Sequence, residues 1–298
     1  MAKKSRPVVV AVTSDQHCGG TTAICPPGRL ALPDQGGYFP SKTQYKLLWR
    51  GWEKYWWRVD QIRKEHKAQL VEVFNGDMVE GDHHHTSQII SRDMNVQERV
   101  ADKVFGVPKG MLRPKDKVYV VKGTDTHVGD SEEKRAGWFG VDATEREGEG
   151  ETFSWYHLRM RIHGLRFDVQ HHGARMGRLP WTSQNGLLST AHQIRMECLD
   201  RGEYEDWPHI ALRGHIHQKG DSGPTSPYKT RLLVTPSWQA KTGYGFKVTG
   251  SGAGYADYGG VTIAVFPDER GETVMPNGIS YTVEWITFSP ELPTAVRL

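Results

Sequence analysis

Five stretches with the apolar, β-branched character of buried strands run out into aspartate or histidine, most with glycine alongside. Residues 8–13 lead into Asp15-Gln16-His17, residues 70–74 into Asn75-Gly76-Asp77, and residues 118–121 into Gly123-Thr124-Asp125-Thr126-His127. Residues 167–170 lead into His171-His172-Gly173, and residues 209–212 into Gly214-His215-Ile216-His217. In α/β sheets, ligands bind beyond the carboxyl ends of the strands. If these five ends meet in space, one pocket holds three aspartates and at least five histidines. Carboxylates crowded together resist joint ionisation. Divalent cations resolve that conflict, and a mixed carboxylate and imidazole set suits Mn, Fe, Zn, Co or Ni better than Ca or Mg. One carboxylate can bridge two ions, and such a pair can clamp the attacking and leaving oxygens of an in-line displacement.

The pieces differ in weight. Asp-x-His occurs at Asp15 and again at Asp125, and Gly-Asp occurs four times, so neither says much alone. Gly-His-x-His at 214–217 is far rarer by chance. The reading rests on the order of the pieces and on their place just past the strands.

Elsewhere strands alternate with helices. Residues 18–40 are rich in Gly and Pro and read as a long loop. Ser41 caps a helix on which Leu48, Trp52, Tyr55, Val59 and Ile62 recur at steps of three and four. Trp49, Trp56 and Trp57 broaden its apolar face, and helical spacing favours core packing over base or sugar binding. A second helix is expected over 93–105 and another over 187–199, with a polar excursion at 129–151. Residues 156–162 alternate apolar with His or Arg, the period of a half-buried strand, and His163-Gly164 turns it back into a hairpin. Further strands are expected at 232–235, 261–266 and 281–287, with a Gly-rich flexible loop at 243–260.

Hydrophobic content of 37% and charged content of 24% describe an ordinary globular protein with no apolar run long enough for a membrane span; 298 residues allow one large domain or two small ones, and with no clear interdomain linker a single domain, residues 1–298, is expected. Three cysteines, with Cys18 and Cys25 seven apart, fit neither a disulfide scaffold nor a common zinc spacing; they point to a cytoplasmic protein. The net charge of +3 is too small to announce a nucleic-acid binder, although residues 41–70 hold eight Lys or Arg against three acids.

The series Asp15-Gln16-His17, Gly76-Asp77, Gly123 to His127, His171-His172 and Gly214-His215-Ile216-His217 resembles the signature of the calcineurin-like metallophosphoesterases over residues 8–220. That family reads Asp-x-His, Gly-Asp, Gly-Asn-His, His, Gly-His-x-His. The resemblance implies an α/β (α+β) fold: a two-sheet β-sandwich flanked by helices in four layers, with strands of 228–290 completing the second sheet. It implies two divalent ions, Mn first among those named above, at one rim. Asp15, His17 and His217 would hold the first. Asp77 would bridge. His215 and one of His171 or His172, with His171 preferred, would hold the second. A hydroxide between the ions would attack phosphorus, and His127 would stabilise or protonate the leaving oxygen.

The third motif departs from the family: its asparagine is missing, and the loop is longer by two residues. Asp125 either replaces that ligand or orients His127 as a supporting partner. This variant resembles metallophosphoesterases of phage and prophage genomes. His84, His172 and Arg175 are candidates for contact with substrate phosphate. The function expected is a phosphodiesterase or nuclease acting on nucleic acid or nucleotide. A phosphomonoesterase uses the same ion pair, and the lost asparagine leaves room for a non-catalytic binding module.

Overall fold

The computed structural model describes residues 5–82, 87–146, 150–177, 182–203, 206–224, 229–242 and 258–289. Its strands are β1 (Val8–Thr13), β2 (Leu30–Ala31), β3 (Gly37–Tyr38), β4 (Gln69–Asn75), β5 (Lys117–Val121), β6 (Thr144–Arg146), β7 (Gly150–Thr152), β8 (Leu158–Ile162), β9 (Leu165–Val169), β10 (Ile210–Arg213), β11 (Gly220–Asp221), β12 (Arg231–Val234), β13 (Tyr258–Phe266), β14 (Thr273–Val274) and β15 (Ser280–Phe288). The helices are α1 (Arg50–Glu65), α2 (Met94–Lys109), α3 (Asp125–Val128), α4 (Ser131–Phe139) and α5 (Ser183–Asp200), with a π-helical stretch, Thr43–Trp49, running into α1.

Two sheets hold most of the strands. The first runs β14-β15-β13-β1-β4-β5 and the second β11-β12-β10-β9-β8. β1, β4 and β5 are mutually parallel, as are β9, β10 and β12. Every residue of β1 is buried, which a Val-rich strand covered on both faces requires. Period-two alternation sorts its side chains: Val10 and Val12 meet Val71, Val73, Phe167, Val169 and Leu212 between the sheets. Val9 and Ala11 face the layer of α1 and α2. On the far side α5 packs Leu187, Ala191 and Ile194 on Ala211, Leu232 and Val234. The result is four layers: helix, sheet, sheet, helix.

The expected helix starts where the sequence placed it. Gln44 N donates to Ser41 Oγ, and Ser41 N donates to Gln44 Oε1, a reciprocal capping box. Leu48, Trp52, Tyr55, Val59 and Ile62 are all buried. Trp52 Nε1 donates to the Val104 carbonyl at 2.9 Å, which ties α1 to α2. Trp57 departs from expectation: at 64% exposure it points to solvent, because it lies a further 100° around the helix from the buried Trp56.

Other expectations are corrected. The polar excursion contains α4 and the small β6–β7 hairpin. Residues 258–260 belong to β13, while 243–257 lie outside the described residues. Of the C-terminal strands only β12 joins the second sheet; β13 pairs antiparallel with β1, and it carries β15 and β14 into the first. A strand that is buried over all nine positions must lie between neighbours, and the edge of β1 offers that place.

Candidate metal centre

Both sets of parallel strands point their carboxyl ends at one rim. The loops after β1 and β4 are zipped together by main-chain bonds: Asp15 N donates to the Gly76 carbonyl and His17 N to the Asp77 carbonyl, each at 2.9 Å. From the second sheet, His215 N donates to Asp15 Oδ1 and Oδ2 at 3.2 and 3.1 Å. Among the described residues nine non-glycines have positive φ, and five of them are Asp15, His17, Asp77, His215 and His217. Such a conformation is tolerated best by Asp, Asn and His, and its concentration here marks the rim as a place where geometry is imposed.

The side chains converge. His171 Nε2 lies 3.0 Å from Asp77 Oδ2 and 3.8 Å from Asp15 Oδ1. His217 Nε2 lies 3.1 Å from Asp15 Oδ1 and 3.1 Å from His17 Nε2. His17 Nε2 is 3.9 Å from both carboxylates, and His215 Nδ1 is 4.0 Å from Asp77 Oδ2. Ligand atoms of Asp15, His17 and His217 lie within 4.8 Å of one another, as do those of Asp15, Asp77 and His171, and those of His171, His172 and His215.

Two glycines make the approach possible. A Cβ on Gly123 would sit 2.3 Å from Asp77 Oδ1, and one on Gly76 would sit 2.3 Å from His171 Nδ1. A side chain at either place would fill the cradle.

Charge follows geometry. Burial pushes the Asp15 carboxyl up, but the His217 and His171 imidazoles outweigh it and hold it at about 2. Burial acts likewise on Asp77, and His171 holds it well below the carboxylate range. Burial disfavours protonated His17 and His171, yet Glu80 beside the one and Asp15 and Asp77 beside the other raise them to about 9 and 10. The His172 imidazole moves down, through partial desolvation and then His171 and His215. Two buried carboxylates thus demand positive charge. A divalent cation would supply that charge and accept the lone pairs of the ring nitrogens that converge on the same place, so the residues fit a metal pair.

The sequence-expected residues separate into those this rim gathers and those it does not. Asp15, His17, Asp77, His171, His215 and His217 come together. His171 is buried against both carboxylates, while His172 is exposed beside His171 and His215. Asp125 opens the short helix α3, is exposed, and joins none of these groups among the described residues. Thr124 reaches inward instead: its N–H donates to Asp77 Oδ1 at 2.7 Å, and its hydroxyl lies 3.3 Å from Asp77 Oδ2 and 3.5 Å from His215 Nδ1. His127 Nδ1 donates to the Glu80 carbonyl at 2.9 Å, with its ring 5.2 Å from that of His17. Arg175 is exposed, and His84 lies outside the described residues.

Three supports stand behind these side chains, of which Glu80 and Glu132 were not read from the sequence. Glu80 places Oε2 at 3.0 Å from His17 Nδ1 and accepts from Gln239 Nε2 at 2.6 Å. Its signal was the Gly-Asp-x-x-Glu spacing, which lets the loop after β4 turn back beneath His17. Asn75 serves through its main chain, accepting from His171 Nδ1 at 2.6 Å, while its side chain donates to the Gln170 carbonyl at 3.1 Å rather than reaching Asp77. Glu132, on α4, accepts from Gly123 N at 2.6 Å and is pushed up to about 8 by burial and then by Asp77. A carboxylate that orients a ligating imidazole raises its basicity. Glu80→Gln is therefore expected to weaken binding of one ion about 10–100-fold, read by metal titration of dialysed protein.

No protein-family model matches the chain, and no curated protein matches it. Solved structures similar to it include Vps29 from Entamoeba histolytica, in a complex with zinc, at 12% identity over 93% of this chain and 99% of that one, TM-score 0.37. The 5′-nucleotidase of Candida albicans is 12% identical over 94% of this chain, TM-score 0.38; this chain covers 52%, about half, of its length. The sulfate thiohydrolase SoxB of Thermus thermophilus is 10% identical over 96% of this chain and 58% of its own, TM-score 0.41. The two stacked sheets flanked by helices, with both sets of strand ends meeting at one rim, are the four-layer architecture that the resemblance to the calcineurin-like metallophosphoesterases implied.

Proposed function

We propose that this chain is a metal-dependent phosphoesterase, and that its substrates are phosphodiesters of nucleotides or nucleic acid. One observation carries the reading: ligand atoms from the ends of parallel strands in two different sheets form overlapping groups that share Asp15 and His171. Asp15, His17 and His217 would hold one ion, His171 and His215 the other, with Asp77 between them. When bound, such ions supply Lewis acidity toward a phosphoryl oxygen and lower the pKa of an attacking water.

The remaining work belongs to the chain. The Glu80 carbonyl can only accept, so it fixes the His127 hydrogen on Nδ1 and leaves Nε2 as the atom that exchanges a proton with the leaving oxygen. Thr124 stands where the family has asparagine, and its hydroxyl lies at the Asp77–His215 side of the centre. Asp125 lines the adjoining cavity of about 370 Å³, as does His172, where both face incoming substrate. The Arg face of β8 lends little support to nucleic-acid binding. Arg159 pairs with Glu203 at 3.1 Å and Arg161 with Asp206 at 2.7 Å, so its charge is largely answered within the chain. Among the described residues no helix is long and apolar enough to cross a membrane.

The direct test is turnover of bis-p-nitrophenyl phosphate against p-nitrophenyl phosphate with added Mn²⁺. Faster cleavage of the bis-ester supports a diesterase; turnover of neither, with metal bound, ends the enzyme reading. His127→Ala is expected to retain its metal and lose about 10²–10⁴ in rate on esters with poor leaving groups, with a smaller loss on p-nitrophenyl esters. Loss of metal in that variant would make His127 a ligand.

A further inference from the structure

The cavity beside the metal centre is lined by the Tyr156 ring as well as by the His171 and His172 imidazoles. Its side chain is 50% exposed and belongs to no core cluster. An aromatic ring left in water on a mobile loop would signify little, but this one is held on both sides. Trp155 N donates to the Val120 carbonyl at 2.9 Å, and Lys122 N donates to the Trp155 carbonyl at 2.8 Å, so Trp155 extends the edge of β5. The Trp155 ring packs against the core between the sheets, with the Arg146 guanidinium 3.5 Å from its centroid. On the other side His157 Nε2 lies 2.6 Å from Asp168 Oδ2, and buried Asp168 is held in turn by Arg213 at 2.7 Å. The exposed ring is therefore fixed by anchored neighbours, next to the loop that carries Thr124.

Lys122 Nζ lies 4.3 Å from the Tyr156 centroid. It covers one face and brings positive charge to the cavity wall. A rigid aromatic platform beside a cationic group suits a planar base attached to a phosphate, because stacking tolerates any base and a preorganised ring gives up little freedom on binding. We propose that Tyr156, braced by Lys122, is a specificity-determining residue that stacks the nucleobase of a nucleotide unit whose phosphate occupies the metal centre. This rests on the phosphoesterase reading above and names the group that distinguishes its substrate from a simple phosphate ester.

The test is calorimetric binding in excess Mn²⁺. Its two ligands are the phosphonate analogues of adenosine 5′-monophosphate and of ribose 5-phosphate, in which methylene replaces the bridging oxygen so that turnover cannot consume them. The wild-type chain is expected to prefer the adenosine analogue by about 5–150-fold, the span that stacking one base confers. Tyr156→Ala should erase the preference, leaving metal content and the ribose analogue's affinity unchanged; Tyr156→Phe should keep it. Equal affinity of the wild-type chain for both analogues, or an undiminished preference in Tyr156→Ala, overturns the proposal. So does an equal loss for both analogues, which would make Tyr156 merely structural. Turnover of bis-p-nitrophenyl phosphate by the same preparations reads the hydrolase assignment separately. A chain that prefers the adenosine analogue but cleaves no ester refutes catalysis and keeps the stacking platform.

Discussion

Asp77→Asn should leave the chain folded, bind fewer than two ions and lower kcat/KM on any phosphoester by at least about 10³-fold. The side chain is almost completely buried, and four groups converge on it: the Thr124 N–H, the Thr124 hydroxyl, His171 and His215. Asparagine keeps the shape but loses the charge. It also presents an NH₂ group to Thr124 N–H or His171, where only an acceptor is useful. Metal analysis after dialysis, circular dichroism and steady-state kinetics on the same preparation separate the outcomes. A folded variant with full metal and full rate would show that Asp77 bridges nothing. The wild-type fold is needed for that comparison, and the backbone at Asp77, with φ of 53°, is one that asparagine also adopts readily.

Glu72→Gln should change how stability depends on pH. Glu72 lies in the middle of β4, alternating with Leu70 and Phe74 toward the helices, while Val71 and Val73 face the second sheet. It is fully buried, and neither carboxylate oxygen has a hydrogen-bond partner among the described residues. Burial first, and Asp116 second, push its pKa from 4.5 up to about 8, with Arg63 opposing. The folded-state value is thus above the unfolded one. Between pH 4.5 and 8 the folded chain keeps a proton that the unfolded chain has lost, so stability falls as pH rises through that window and does not return above it. At 1.36 kcal/mol per pH unit, the total for this one group is about 3–5 kcal/mol. Urea melts of wild type and variant, in chelator at pH 5 and pH 8.5, should therefore diverge by about that amount in favour of glutamine at the higher pH. Taking the difference between the two proteins removes the contribution of Glu132, which both share. Parallel pH profiles would show that Glu72 ionises inside the fold.

Much of this arrangement could be read from residue order. A Val-rich strand followed by Asp-x-His says where a side chain must lie, because the strand fixes the direction and the loop has only two residues in which to turn. The same logic placed Asp77, His171, His215 and His217 at one rim. What escaped was contact between segments whose local pattern is silent. Nothing near Glu132 marks it as the acceptor for Gly123 N, since that bond spans a helix read as polar loop. Thr124 was passed over for Asp125 because a carboxylate is the stronger ligand on paper, yet α3 turns Asp125 outward and leaves the smaller hydroxyl inside. Likewise, antiparallel pairing of β13 with β1 is a choice of edge, and alternation within a strand says nothing about which edge it will take.

Asp15, His17 and Asp77 hang from the first sheet, while His171, His215 and His217 hang from the second. The apolar layer between the sheets is slippery by nature: hydrophobic contact is non-directional and does little to forbid a sideways glide. A cation gripping ligands from both sheets would act as a rivet through that seam, joining residues two hundred positions apart in the chain, as His17 and His217 are. Alignment of the two sheets and occupancy of the centre would then be one equilibrium seen from two ends.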